Sequence, residues 1–227
     1  MTPTMRQNYP HTPEQILAYD SNKLREAFHY QGEEKVRLAI DDLFRIVSEI
    51  TLVPSEALPE RLGFQANNQD RNNFQALLGV MRTVKILHHL GFVEIQPLRP
   101  HDERPEADLL AMRQDVKFAV EVFRSNEDTP RYLGLNLEEY IGRRYKKDKK
   151  TQLDETMSNH ICSKTILVVV FDSKSSELFS RNDLQEAARE SFREMGFPDK
   201  THLIVFSEIE DDMAVEDGLA IFPELPP

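Results

Sequence analysis

Apolar positions recur along this chain with two periods, one helical and one alternating or continuous, and together they predict most of its elements. Val36, Ala39, Ile40, Leu43, Val47 and Ile50 follow helical spacing between Glu33 and Ile50. Phe74, Leu77, Leu78, Met81, Val84 and Leu87 repeat it between Asn72 and Leu90, and Gly91 supplies a stop. An earlier helix is expected from Thr12-Pro13-Glu14-Gln15, where Thr12 caps, Pro13 suits the first helical position and Gln15 completes a capping box. Its stripe is Ile16, Leu17, Leu24, Ala27 and Phe28, ending near Gly32. Phe92 to Leu98 reads as a strand. Leu109 to Met112 and Val116 to Phe123 read as two more, joined by the polar turn Arg113-Gln114-Asp115.

A long helix is expected over Leu137 to Ser158. The uninterrupted apolar run that follows, Lys164 to Asp172, predicts a strand buried on both faces, central and parallel to a neighbour. Leu184, Ala187, Ala188, Ser191, Phe192 and Met195 mark another helix, with Ser180 as cap and Gly196 as stop, and His202 to Ser207 is the next strand. Asp217-Gly218 between Met213-Ala214-Val215 and Leu219 to Phe222 predicts a terminal hairpin. Residues 1–66 therefore read as a helical arm or cap, and 67–227 as an α/β core with an acidic C-terminal segment. The two apolar stripes of the arm need a surface to cover, which makes it a candidate contact between copies in a homo-oligomer.

Composition refines this picture in three places. With 227 residues, 40% of them hydrophobic and 30% charged, the chain has material for a sizeable core and a solvated surface. No apolar run approaches the roughly 20 residues of a membrane-spanning helix, and Met1 to Tyr9 holds no hydrophobic block resembling a signal peptide. The single cysteine, Cys162, excludes an intramolecular disulfide framework and suits a reducing cytoplasm; it reads as a small packed residue at a strand's start. The net charge of −11 argues against non-specific coating of nucleic acid. That charge is uneven: Ser207 to Pro227 carries seven acids and no Lys or Arg, whereas six of the eight residues from Arg143 to Lys150 are basic. The basic run is either a phosphate-facing patch or a solvated helix face.

The chemistry-bearing candidates lie on the paired strands. A tight turn would make them antiparallel and bring Asp108, just ahead of the first, opposite Glu121 near the end of the second. Two carboxylates converging on one point repel unless a cation lies between them, and magnesium, or manganese, is a hard ion suited to oxygen ligands. The alternative is a pair of ordinary solvated charges. Glu106, two residues before Asp108, is the fallback acid. His88 and His89 suit the negative end of a helix dipole better than a metal, because adjacent helical residues point apart.

Glu106-Ala107-Asp108, the short turn and Glu121-Val122-Phe123, set in the order helix, three strands, helix, strand, helix, strand, resemble the PD-(D/E)XK, or restriction-endonuclease-like, superfamily over about 67–207. The resemblance implies a mixed central sheet flanked by helices, with Asp108 and Glu121 as magnesium ligands of a nuclease. Phe123 stands where that family's motif has lysine. Lys117 is on the same strand face as Glu121 but four residues back, roughly 13 Å away along the strand. A wheel of the following helix with Ile141 and Tyr145 inward brings Asp148 and Gln152 onto the same face, with Lys149 at its edge and Lys146 and Lys150 pointing away. Some superfamily members carry the lysine, or a glutamine, on this helix, so the resemblance implies catalytic roles for Lys149 and Gln152. The family's first core helix sometimes adds a glutamate ligand; here Gln75 takes a comparable position.

The leading expectation is thus a magnesium-dependent nuclease acting on DNA. One competing reading keeps the fold and acids but not the chemistry, as a catalytically inactive nucleic-acid-binding or protein-interaction module. Another is an unrelated α/β interaction protein whose acidic tail and N-terminal helices form an interface.

Overall fold

The computed structural model describes residues 32–64, 73–98, 106–125, 137–171, 181–195, 200–207 and 219–225. The expected first helix at Thr12 and the strand at Met213 to Val215 lie outside these residues. Three helices come first: α1 (Glu33–Thr51), the single turn α2 (Leu58–Arg61) and α3 (Asn73–His89). Strands β1 (Val93–Pro97), β2 (Leu109–Arg113) and β3 (Val116–Ser125) follow. One continuous helical stretch then runs through α4 (Leu137–Arg144), a π-helical turn (Tyr145–Lys149) and α5 (Lys150–His160). The remaining elements are β4 (Lys164–Phe171), α6 (Arg181–Met195), β5 (Thr201–Ser207) and β6 (Leu219–Phe222).

The strands form one six-stranded mixed sheet in the order β1-β2-β3-β4-β5-β6. β1, β2 and β3 are antiparallel neighbours, β3, β4 and β5 are parallel, and β6 returns antiparallel to β5. β6 therefore extends the sheet, with Leu203 opposite Phe222. The period-2 direction of strand side chains divides β4 between two cores, as its continuous apolar run requires. Ile166, Val168 and Val170 face one layer with α1, α2 and α3, while Leu167, Val169 and Phe171 face the other with α4, α5 and α6. The flanks of the sheet are thus both covered by helices.

Local chemistry explains the key boundaries. α3 buries Leu77, Val80, Met81, Val84 and Leu87 along one face. It stops where Gly91 takes φ +80°, letting the Phe92 and Gly91 amides bond back to the Leu87 and His88 carbonyls. The β2–β3 connection is a two-residue turn, because Gln114 and Asp115 both take positive φ, 49° and 61°, matching the twist of paired strands. Among the described residues no helix is long and apolar enough to cross a membrane.

α1 is part of the first core layer, with Ile40, Phe44 and Val47 buried at helical spacing against it. Phe44 is fully buried. Phe44→Ala should lower the unfolding free energy by about 3–5 kcal/mol, the cost of emptying a buried aromatic site, read by urea denaturation. A loss below about 1 kcal/mol would mean that α1 does not belong to this core.

Candidate functional site

The β2–β3 turn sets a register in which Leu109 faces Val120, so Asp108 and Glu121 come next across the ladder. At that point β2 ends while β3 continues beside β4, with Glu121 paired to Leu167. The backbone donors of β3 on its abandoned side then need other partners. Asp108 meets that need: its Oδ2 accepts the Val122 N–H at 2.8 Å. The Asp108 carbonyl in turn accepts the Leu98 N–H at 2.9 Å, tying the acid to the end of β1. Asp108 is therefore held between the end of β1 and β3, one residue beyond the last β2–β3 pair.

Glu121 points into the second core layer with Ala119 and Phe123 on either side. Its side chain is 1% exposed, and its Oε1 accepts a charge-assisted hydrogen bond from Lys149 Nζ. Its Oε2 is buried with no hydrogen-bond partner. Lys149 reaches this point from the last residue of the π-helical turn and keeps 23% of its side chain exposed. Asp108, Glu121 and Lys149 thus come together between the sheet and the α4–α5 helix, with Lys149 partly exposed.

The π turn decides which helical residue arrives. On an ideal wheel the inward face runs Ile141, Tyr145, Asp148, Gln152. A π turn closes its bonds one residue later and so inserts one position. The buried face becomes Ile141, Tyr145 and Leu153, and Lys149 fills the place between them at Glu121. Lys149 is consequently central, where the regular wheel put it at the edge. The side chain of Asp148 lies outside the described residues. Gln152 is half-buried and donates from Nε2 to the Glu106 carbonyl at 3.4 Å.

The other candidates are engaged elsewhere. The Glu106 carboxylate accepts from Asn159 at 3.2 Å and meets His160 Nε2 at 3.3 Å. Lys117 lies at the far end of β3, close enough to Cys162 to influence its thiol, with its carbonyl bonded to the Ser163 amide. Gln75 accepts a bond from Arg124, on the sheet face opposite Glu121, and so is not an additional ligand to the carboxylate pair. Phe123 is buried with its ring against Tyr140, centroids 6.0 Å apart. Cys162 is buried and its thiol is pushed up by that burial, which keeps it protonated and unreactive. His88 and His89 are exposed.

The electrostatics follow from burial. Glu121 is pushed up to about 8, first by removal from water and then by the Asp108 charge, with Lys149 and the Asp108 amide opposing. Asp108 is also raised by burial, against the pull of Lys149 and the Val122 N–H. Asp108 and Glu121, the latter with one buried oxygen lacking a hydrogen-bond partner, are the residues that could hold a hard cation. The donors are all oxygens, which suits magnesium or manganese bound by one or two carboxylates with retained water. Among the described residues no group of three or more His, Cys, Asp or Glu side chains forms a fuller metal cage. No protein-family model matches the chain, and a search of curated proteins finds no match.

The titration has a definite sign. Between Glu121's ordinary value of 4.5 and its folded value of about 8, the unfolded chain has released the proton and the folded protein retains it. Stability of the metal-free protein therefore falls as pH rises through that window. Glu121→Gln removes this contribution. Its urea midpoint should gain on wild type progressively from about pH 5 to about pH 8. Parallel pH profiles for the two proteins would show that Glu121 is not raised.

Proposed function

We propose that this protein is a metal-dependent phosphodiester-cleaving nuclease with a restriction-endonuclease-like core, acting on DNA. The observation that carries the reading is the meeting of Asp108, Glu121 and Lys149 just beyond the last β2–β3 pair. The six-stranded mixed sheet covered by helices on both faces supports the same assignment. Lys149, carried on the helix, stands in for the strand lysine that Phe123 replaces.

Asp108 and Glu121 would hold magnesium or manganese, which supplies, when bound, a nucleophilic water at neutral pH and neutralisation of phosphate charge. The residues of the chain do the rest. Asp108 is oriented by the Val122 N–H, so its second oxygen is available for a ligand. Glu121 must shed its proton before it can ligate, so cation affinity rises with pH toward its raised value of about 8. Lys149 is the site's partly exposed cation and so is placed to meet a phosphate oxygen. In that role it stabilises negative charge that develops as the phosphodiester breaks. Leu110, Phe123, Tyr140 and Ile141 belong to the buried apolar layer into which Glu121 points.

Plasmid nicking with magnesium or manganese, against a chelator control, tests this directly. Glu121→Ala should abolish cleavage. Lys149→Ala should lower the rate by roughly 10²–10³, the scale of losing one preorganised charge-stabilising group, with the circular dichroism spectrum unchanged. Lys117→Ala should leave the rate within about twofold, as expected of a surface-type change away from the site. Wild-type protein that cuts neither DNA nor RNA with either metal would transfer the assignment to an inactive binding module on this fold.

A further inference from the structure

One face of α5 is devoted to a two-residue stretch, Glu106-Ala107, 46–54 positions away in sequence. Gln152, Thr156, Asn159 and His160 stand at the i, i+4, i+7, i+8 positions that share a helix face. All four bond to Glu106 or Ala107. Thr156 Oγ1 accepts the Ala107 N–H at 2.7 Å, and Gln152 donates to the Glu106 carbonyl. Asn159 and His160 take the Glu106 side chain. Thr156 is fully buried and Ala107 nearly so, which makes the bond between them the one that water cannot replace. The next residue in the chain is Asp108.

We infer that Thr156 is a positioning residue: by anchoring the Ala107 amide to α5 it fixes the Asp108 carboxylate against Val122 and opposite Glu121. The same continuous helical stretch carries Lys149 seven residues earlier, so one rigid body sets both the acid and the lysine relative to β3. Without this anchor, Asp108 would keep only its contacts with the Leu98 and Val122 amides and the contact of its own amide with Glu121. The consequence for metal affinity rests on the nuclease reading; the positioning of Asp108 does not. Partners of this outer kind set the orientation of the groups that touch a metal, and losing one costs about 10–100-fold in affinity.

Thr156→Val keeps the shape and removes the acceptor; Thr156→Ser restores it and serves as rescue. Gln152→Ala, at a half-buried position, is a second probe that leaves the buried hydroxyl in place. Two readouts are needed on the full chain: amide hydrogen exchange without metal, and manganese affinity from electron paramagnetic resonance. In Thr156→Val the Val122 amide should exchange at least about tenfold faster relative to Val168 and Val169, on the scale of one local hydrogen bond's loss. Manganese affinity should fall about 10–100-fold, Gln152→Ala should move both readouts in the same direction, and Thr156→Ser should return both to near wild type. Unchanged Val122 exchange, or a uniform rise across β3 and β4, would overturn the positioning role. Selective loosening of Val122 in a protein that binds no manganese in its wild-type form would uphold the positioning role while rejecting the metal site.

Discussion

The Lys149 ammonium meets the Glu121 carboxylate beneath the surface, next to a second carboxylate, at the place where β3 loses one of its two neighbours. Removing an ion from water costs several kcal/mol even after the protein relaxes. Two acids side by side raise that cost, and the position of Glu121 at about 8 is its direct expression. A single lysine offsets it only in part. One Glu121 oxygen is left buried without a hydrogen-bond donor.

Everything around that point serves to hold the groups together in spite of their mutual repulsion. β3 lies between β2 and β4, with apolar side chains on both faces, so Glu121 cannot turn away to solvent without disrupting two cores. The two-residue turn at Gln114-Asp115 leaves one register for β2, because a one-residue slip would exchange its faces. The α4–α5 helix brings Lys149 to Glu121, and its polar face is bound to the Glu106–Ala107 backbone and the Glu106 side chain. The two carboxylates are thus carried on or beside an inner strand of the sheet.

Much of this was legible in the order of residues. The β2 and β3 strands, their short turn and the opposition of Asp108 and Glu121 follow from hydrophobic alternation, since side-chain direction in a strand depends only on counting by two. The burial of β4 on both faces follows from its unbroken apolar run. The stop of α3 at Gly91 follows from glycine's tolerance of positive φ. Lys149 was visible as one of several candidate cations, but at the edge of the helix face. A helical wheel assumes uniform turns, and nothing in Tyr145-Lys146-Lys147-Asp148-Lys149 announces a π turn.

What the sequence by itself determined, then, was the existence of α1, α3, α6 and the strands β1 to β5, and the placing of Asp108 opposite Glu121, because those depend on local periodicity. Only the tertiary structure decided which cation reaches Glu121, that Gln75 serves Arg124 on the other face, and that Thr156 grips the residue before Asp108. Each of these is a contact between residues 28 to 49 positions apart. Such contacts are chosen by how the helices settle on the sheet. No local propensity records that choice, because the energy that selects it arises only when both partners are buried together.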